Sequence, residues 1–190
     1  MRALLDPISD FHGAKAPTPS QPFHDHMRPF EAREAFRKME WDYSSYYRFV
    51  FIRNPWARLA SLYAMILGLD RSMRLPFTEW LETTSPYGEG GGGAQAWRRY
   101  GTYSLSAFAG DGSGTLFVDD VFRLEDIESV PEKLRQRGVP LPPGATLPHV
   151  NRTRGTADYR AIYATKRSVE FVRENYANEI RRFHYRFPPP

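Results

Sequence analysis

Residues 49–63 have the sequence FVFIRNPWARLASLY. The aromatic and β-branched residues that lead into this stretch predict a buried strand over residues 46–52. Asn54-Pro55 then predicts a helix start, with Asn as the N-cap and Pro at the first helical position. Over Trp56–Leu69 the apolar residues recur with helical spacing, so one helix face is expected to be buried. The residues on that face are Leu59, Leu62, Tyr63, Ile66 and Leu67.

The polar residues of the same stretch form a candidate anion site. Arg53 follows the strand, and Asn54, Arg58 and Ser61 are spaced i, i+4, i+7, which places them on one helix face. Helix N-termini expose unpaired N–H groups and a partial positive charge, and a guanidinium adds a forked donor. This pattern predicts a phosphate-binding site. The alternative is an internal Arg–carboxylate pair that braces the turn, with Ser61 as a small packing residue.

The rest of the chain contains further helical and strand patterns. Those for helices cover residues 31–39, 129–138 and 165–183, and those for short strands cover Thr115–Val118 and Val121–Leu124. The second helix is expected to start with a capping box of Ser129 and Glu132 and to end at Gly138. Strands separated by helices predict an α/β layer fold with a mainly parallel sheet flanked by helices. Residues 84–94 are glycine-rich and predict a flexible surface loop.

Composition narrows the classes of protein. The chain of 190 residues is 41% hydrophobic and 25% charged, which predicts a single globular domain over residues 1–190. Of the 26 basic residues all but four are arginine, a skew that suits phosphate and sulfate but also follows from a GC-rich genome. The absence of cysteine excludes disulfides and thiolate metal sites. No apolar stretch reaches the roughly 20 residues that a membrane span needs.

A family resemblance adds to this interpretation. The junction at residues 49–63 resembles the 3′-phosphate-binding motif of sulfotransferases that use 3′-phosphoadenylyl sulfate (PAPS), in the carbohydrate branch with many bacterial members. Residues 119–127, residues 147–153 with Tyr159 and Tyr163, and residues 176–187 are similar to later segments of that family. The resemblance implies a P-loop-like three-layer fold and transfer of a sulfuryl group from PAPS to a carbohydrate-type hydroxyl, with no metal.

The resemblance also implies roles for individual residues. Arg53 and Ser61 are expected to hold the 3′-phosphate of the cofactor, with Asn54 and Arg58 beside them. Arg152 and Arg154 face the cofactor or an anionic acceptor, or else form a solvated charged face. His26 stands where related enzymes have a general base, and the near-neutral pKa of a histidine suits that role. The alternative for His26 is a solvated loop residue, and a His24–His26 metal pair lacks a third ligand.

One family feature has no match in this sequence. Members of the family begin with a strand and a Lys-Thr-Ala/Gly-Gly-Thr-Ser loop that holds the 5′-phosphosulfate, and residues 1–5 resemble the helix that follows it. We therefore expect a chain that starts just downstream of this loop and turns over poorly. The missing inner strand would leave an uncovered sheet edge, which favours a homo-oligomer. The alternative function is a non-catalytic relative that binds a nucleotide or a sulfated glycan.

Charge and sequence motifs also lead to predictions about macromolecular partners and the cellular compartment. The basic pI of 9.4 permits nucleic acid. However, the aromatic residues show no RNA-binding or helix-turn-helix pattern, and acidic residues interrupt any basic stripe, so we expect no nucleic-acid partner. Animal relatives of the family are Golgi membrane proteins, but this sequence has no anchor. A cytoplasmic protein of bacterial type is the expectation.

Overall fold

The computed structural model describes residues 5, 18–24, 26–69, 74–88, 101–147 and 159–187. Within the predicted domain the chain divides into two compact units. The first comprises Met1–Ile52 and Ala109–Val150, and the second comprises Arg53–Phe108 and Asn151–Pro190. Each unit has its own packed interior, and each is described separately below.

Among its described residues the first unit contains a parallel pair of strands and two α-helices whose bounds both fall in the described ranges. The helices are α1 (Pro29–Lys38) and α5 (Val130–Gln136), and the strands are β1 (Phe49–Ile52) and β2 (Asp120–Arg123). The strands pair in register from Phe49 opposite Asp120 to Ile52 opposite Arg123. A parallel pair needs a long crossover connection, and here the second unit supplies it. The chain is therefore a mixed helix and strand protein with a small parallel sheet, in agreement with the α/β prediction.

Aliphatic and aromatic side chains together form the interior of the first unit. Phe122 of β2 packs with Val130 and Leu134 of α5, both completely buried, while Phe49 and Phe51 of β1 pack against the same cluster. A separate cluster joins Phe36 of α1 to aromatic residues before and after it: Phe23, Trp41, Tyr43 and Tyr46. Burying rings of this size supplies much of the favourable free energy of folding.

The second unit is helical among its described residues. It contains α2 (Pro55–Leu69), α3 (Phe77–Glu82), α6 (Lys166–Asn175) and α7 (Ala177–Arg182), and α4 (Leu105–Ala109) lies at its boundary with the first unit. The largest side chains in its interior are Trp56, Trp80 and Tyr176, all almost fully buried. No helix in the described ranges has both the length and the apolar character needed to cross a membrane.

Several predicted elements differ in detail from the observed ones. Strand β1 starts at Phe49 rather than Tyr46, and residues 115–118 contribute only an isolated bridge between Gly110 and Leu116. Leu67, predicted to face inward, is 41% exposed. The glycine-rich loop prediction falls largely on residues 89–94, which lie outside the described residues.

The prediction of a capping box at the start of α5 was wrong. Ser129 has helical dihedrals (φ −83°, ψ −13°) rather than the extended ones that an N-cap needs, and its Oγ donates to the carbonyl of Asp126. Glu132 forms an ion pair with Arg135 instead of reaching back to the backbone. The predicted end at Gly138 was correct, because this residue has φ +83° in the left-handed region that favours glycine.

The helix predicted over residues 165–183 is two helices. Thr165 caps the first by accepting a hydrogen bond from Ser168 N at 3.2 Å. Tyr176 breaks the continuous helix with φ −118° and ψ 23°. Its ring is buried, and its hydroxyl donates to the carbonyl of Thr102 at 2.6 Å. Burial raises the pKa of Tyr176 to about 12, so the hydroxyl keeps its proton and remains a donor.

Candidate anion-binding site

The junction between β1 and α2 has the predicted local structure. Asn54 caps the helix: its Oδ1 accepts from the N–H of Trp56 at 3.1 Å and from the N–H of Ala57 at 3.4 Å. Its carbonyl accepts the first intrahelical bond, from Arg58 N at 2.8 Å. Pro55 occupies the first helical position, where its missing N–H costs nothing. The predicted cap is therefore confirmed.

The Asn54 cap occupies backbone N–H groups that could otherwise bind an anion at the helix N-terminus. Pro55 has no N–H, and Asn54 accepts the N–H groups of Trp56 and Ala57. The backbone donors of the first turn are thus already satisfied by the protein itself. The helix dipole still favours a nearby negative charge. An anion at this junction must take its hydrogen bonds from side chains.

Arg53 is the side chain best placed to provide them. It directly follows the buried Ile52 and is itself partly buried. Within the described part of the chain its guanidinium has no carboxylate partner and no hydrogen-bond acceptor. Ser61 lies on α2 eight residues later and is also partly buried. The role of these two residues as phosphate ligands stays a prediction.

Arg58 has a different environment from the predicted one. Its Nη2 donates to Glu179 at 2.8 Å, and its guanidinium lies over the ring of Tyr176 at 5.2 Å. Burial alone would lower the pKa of Arg58, but attraction to Glu179 and Tyr176 outweighs burial, and the net shift of the pKa is upward. Arg58 therefore has the internal carboxylate partner that the alternative interpretation of the sequence described, and its contact with a cofactor stays a prediction.

Asn54 is also engaged within the second unit. Besides capping α2 with its oxygen, it donates from Nδ2 to the carbonyl of Arg186 at 3.0 Å. Both ends of its amide therefore have partners in the protein. Its role in the structure is to start the helix and to join it to the segment that follows α7.

Glu179 is a residue of this region that the sequence interpretation missed. It lies on α7 and is one of the few buried charged residues in the described ranges. One carboxylate oxygen accepts from Arg58, and the other accepts from the N–H of Leu105 at 3.1 Å. Its position three residues after Tyr176, on the apolar face of the predicted helix, was the available signal. A carboxylate on a buried face requires a charged partner.

The roles of the remaining predicted residues stay predictions. His26 belongs to the first unit, is exposed, and has a left-handed backbone conformation with φ 66°. Arg152 and Arg154 lie outside the described residues. No cluster of three potential metal ligands occurs in the part of the chain that the structure describes.

A shallow cleft of about 350 Å³ lies elsewhere, in the first unit. It is lined by Asp120, Phe122, Lys133, Gln136 and Arg137. Its carboxylate is already occupied, because Asp120 accepts from Tyr47 Oη at 2.8 Å and forms an ion pair with Arg137 at 2.8 Å. None of the residues predicted to bind the cofactor lines it. The geometry at the start of α2 is the better candidate for a functional site.

Comparison of the chain with protein-family models, with curated proteins and with solved structures finds no match. The features of this chain that indicate a function are the chemistry of the junction and the sequence of residues 49–63.

Proposed function

We propose that this chain is a PAPS-dependent sulfotransferase that acts on a hydroxyl of a carbohydrate-type acceptor. Its fold on this proposal is the P-loop-like three-layer α/β fold, of which β1 and β2 form part of the parallel sheet. The cofactor site lies where the chain leaves β1 and enters α2. Arg53 directly follows β1 in the sequence, and both proposed phosphate ligands, Arg53 and Ser61, belong to the second unit.

The observation that carries the proposal is the environment of Arg53. Arginines occur at positions 48, 53 and 58, and the first and last of them each have a carboxylate partner. Arg48 pairs with Asp119 at 2.6 Å, and Arg58 pairs with Glu179 at 2.8 Å. Within the described ranges Arg53 has no such partner although it is partly buried. A partly desolvated guanidinium without an internal acid is suited to an external anion.

On this proposal the phosphate site has two direct side-chain ligands. Asn54 and Arg58 hold the helix in place, so the direct phosphate ligands on this proposal are Arg53 and Ser61. A guanidinium fork and a hydroxyl donor match the oxygens of a phosphate monoester, such as the 3′-phosphate of PAPS. The helix dipole adds a favourable field without contributing free N–H groups.

The proposed reaction is an in-line displacement at sulfur. The acceptor hydroxyl oxygen forms a bond to sulfur as the bond between sulfur and the 5′-phosphate oxygen breaks. The acceptor proton passes to a general base, for which His26 remains the prediction, and adenosine 3′,5′-bisphosphate leaves. Such loose transition states depend on positioning and on charge stabilisation. Arg53 and Ser61 would contribute by fixing the nucleotide at a group remote from the reacting sulfur.

The test compares two nucleotides and two proteins by isothermal titration calorimetry. Adenosine 3′,5′-bisphosphate carries the 3′-phosphate, and adenosine 5′-monophosphate (AMP) lacks it. We expect the wild-type protein to prefer the bisphosphate, and Arg53→Ala to lower its affinity for the bisphosphate about ten- to hundredfold, the value of a charged hydrogen bond. The affinity for AMP should not change, because the lost contact is made only with the 3′-phosphate.

Arg173→Ala provides the matched control. Arg173 lies on an exposed face of α6 and pairs with Glu170, so this change removes the same charge from the same unit. If both variants lower the affinity equally, the effect is one of net charge, and the proposed site is wrong. If wild-type protein shows no preference for the bisphosphate, the proposed function falls as well. Transfer of labelled sulfate from PAPS to a polysaccharide acceptor then separates an active enzyme from the non-catalytic alternative.

A further inference from the structure

The face of α2 that carries Ser61 is held by the C-terminal part of the second unit. Asn54, Arg58 and Ser61 are spaced so that they follow one another along this face. Asn54 donates to the carbonyl of Arg186, and Arg58 donates to Glu179. Two of the three positions on the face are therefore anchored to α7 and to the segment after it. The third position, Ser61, lies less than one turn beyond the second anchor.

Glu179 is the centre of that attachment. Its two oxygens bind two different elements: the guanidinium of Arg58 on α2 at 2.8 Å, and the N–H of Leu105, the first residue of α4, at 3.1 Å. Its side chain is only 2% exposed, so water cannot replace either partner. The neighbouring Tyr176 supports the same connection, since its ring lies against Arg58 and its hydroxyl binds the carbonyl of Thr102.

A buried charge pair of this kind defines the position of a helix more closely than apolar packing does. Apolar contacts have no preferred direction, so a helix can rotate or slide slightly and keep most of its buried area. A hydrogen-bonded ion pair loses most of its energy when its partners separate in a site that excludes water. Large rotations of α2 about its axis would separate Arg58 from Glu179, so the pair restricts the rotation that places Ser61.

We propose that Glu179 is a positioning residue for the phosphate site at Arg53 and Ser61, acting through Arg58. This inference rests on the proposed nucleotide-binding function. Glu179 does not touch the ligand. It fixes the first two turns of α2, so that the hydroxyl of Ser61 and the guanidinium of Arg53 meet the 3′-phosphate together. The expected consequence is a specific loss of selectivity for the 3′-phosphate when the carboxylate is removed.

The experiment measures that selectivity as the ratio of affinities for adenosine 3′,5′-bisphosphate and AMP. Glu179→Gln keeps the shape of the side chain and removes its charge. We expect the ratio to fall about tenfold, since a displaced donor loses roughly half the value of a charged hydrogen bond. The affinity for AMP should remain within about twofold of wild type, because AMP makes no contact with the displaced donors.

Val172→Ala is the matched control for a purely structural effect. Val172 is completely buried on α6 in the same unit, and its truncation destabilises the unit without touching the ion pair. We expect Val172→Ala to keep the wild-type ratio. If it lowers the ratio as much as Glu179→Gln does, the effect reflects general loosening, and the positioning role is refuted.

The remaining outcomes also test whether Glu179 positions the phosphate site. A wild-type ratio retained in folded Glu179→Gln protein overturns the inference and leaves the proposed function intact. A wild-type protein with no preference for the bisphosphate overturns both. If Glu179→Gln does not fold, Glu179→Asp serves instead, because it keeps the charge and shortens the reach by one methylene. An unchanged ratio in Glu179→Asp would then overturn the positioning role, and a reduced ratio would support it.

Discussion

Removing one partner of the Arg58–Glu179 pair should destabilise the protein by an unusually large amount. The Arg58 side chain is 19% exposed and the Glu179 side chain is 2% exposed, and their charges meet at 2.8 Å. A variant that lacks one of them leaves the other buried without compensation. Such truncations cost about 3–5 kcal/mol. The whole free energy of unfolding of a domain is about 5–15 kcal/mol, so the change would remove roughly a fifth of it or more.

Urea unfolding followed by far-ultraviolet circular dichroism measures this effect. With a denaturant slope of about 2 kcal/mol per molar urea, Arg58→Met and Glu179→Gln should each lower the unfolding midpoint by about 2 M. The double variant Arg58→Met/Glu179→Leu leaves no buried charge and replaces the pair with apolar side chains. Its midpoint should return to within about 0.5 M of wild type, because apolar replacement of a buried pair is often close to neutral.

An exposed ion pair in the same unit provides the control. Arg173 and Glu170 pair on α6 with side chains 54% and 34% exposed. Glu170→Gln should lower the midpoint by only about 0.2 M, since exposed helix pairs are worth about 0.3–0.5 kcal/mol. If Glu179→Gln lowers the midpoint no more than Glu170→Gln does, the pair is not desolvated in solution, and the reasoning from its burial is refuted.

Two further predictions concern the first unit. Hydrogen bonds from Arg48 hold the pKa of Asp119 below its usual range. The ionised carboxylate therefore stabilises the folded state at pH values above its pKa in the unfolded chain, which is about 4. This stabilisation is lost as the pH falls through the lower pKa of the folded state. Asp119→Asn should therefore flatten the decline of stability measured by urea unfolding between about pH 4 and pH 2, and an unchanged slope would contradict this assignment. Leu134→Ala should cost about 2–5 kcal/mol in the same measurement, because Leu134 is completely buried against Phe122 and Val130. A loss below about 1 kcal/mol would mean that this cluster collapses around the missing methyl groups.

The parts of the fold that the sequence predicted well are those with local causes. Asn54-Pro55 starts α2 through bonds to residues two and three positions ahead, and such bonds depend only on neighbours. The aromatic and β-branched run of β1 and the left-handed Gly138 are equally local. Helix α2 ends at Leu69 as its apolar spacing indicated. These features follow from a few adjacent residues, so one sequence is enough to predict them.

The errors have non-local causes. Tyr176 interrupts a helical pattern because its hydroxyl binds Thr102, 74 residues earlier in the chain. Arg58 was predicted to face a ligand because its carboxylate partner lies 121 residues away, on α7. The helical spacing placed Arg58 on the correct face of α2, but spacing within one helix does not show what lies opposite that face. Only the tertiary structure supplies that information.

The predicted catalytic residue illustrates a different limit. His26 was chosen for its spacing from the following helix and for the chemistry of its ring. The structure shows an exposed histidine with a left-handed backbone at that position, within the first unit. Histidine adopts this conformation more readily than bulky residues do. The backbone geometry therefore explains why histidine is tolerated there, and its chemical role remains a prediction.

The Asn54-Pro55 pair predicts a helix N-terminus that could bind an anion, but in the structure the same two residues reduce its capacity to do so. A helix N-terminus binds anions through N–H groups that have no internal acceptor. Here proline removes one such group and the Asn54 side chain accepts two others. The same residues that identify the helix start therefore leave its first turn with little capacity for an anion. Hydrogen bonds to an anion at this junction must come from side chains, and Arg53 has no carboxylate partner among the described residues. On the proposed function, the guanidinium at position 53 therefore contributes more to phosphate binding than the helix end does.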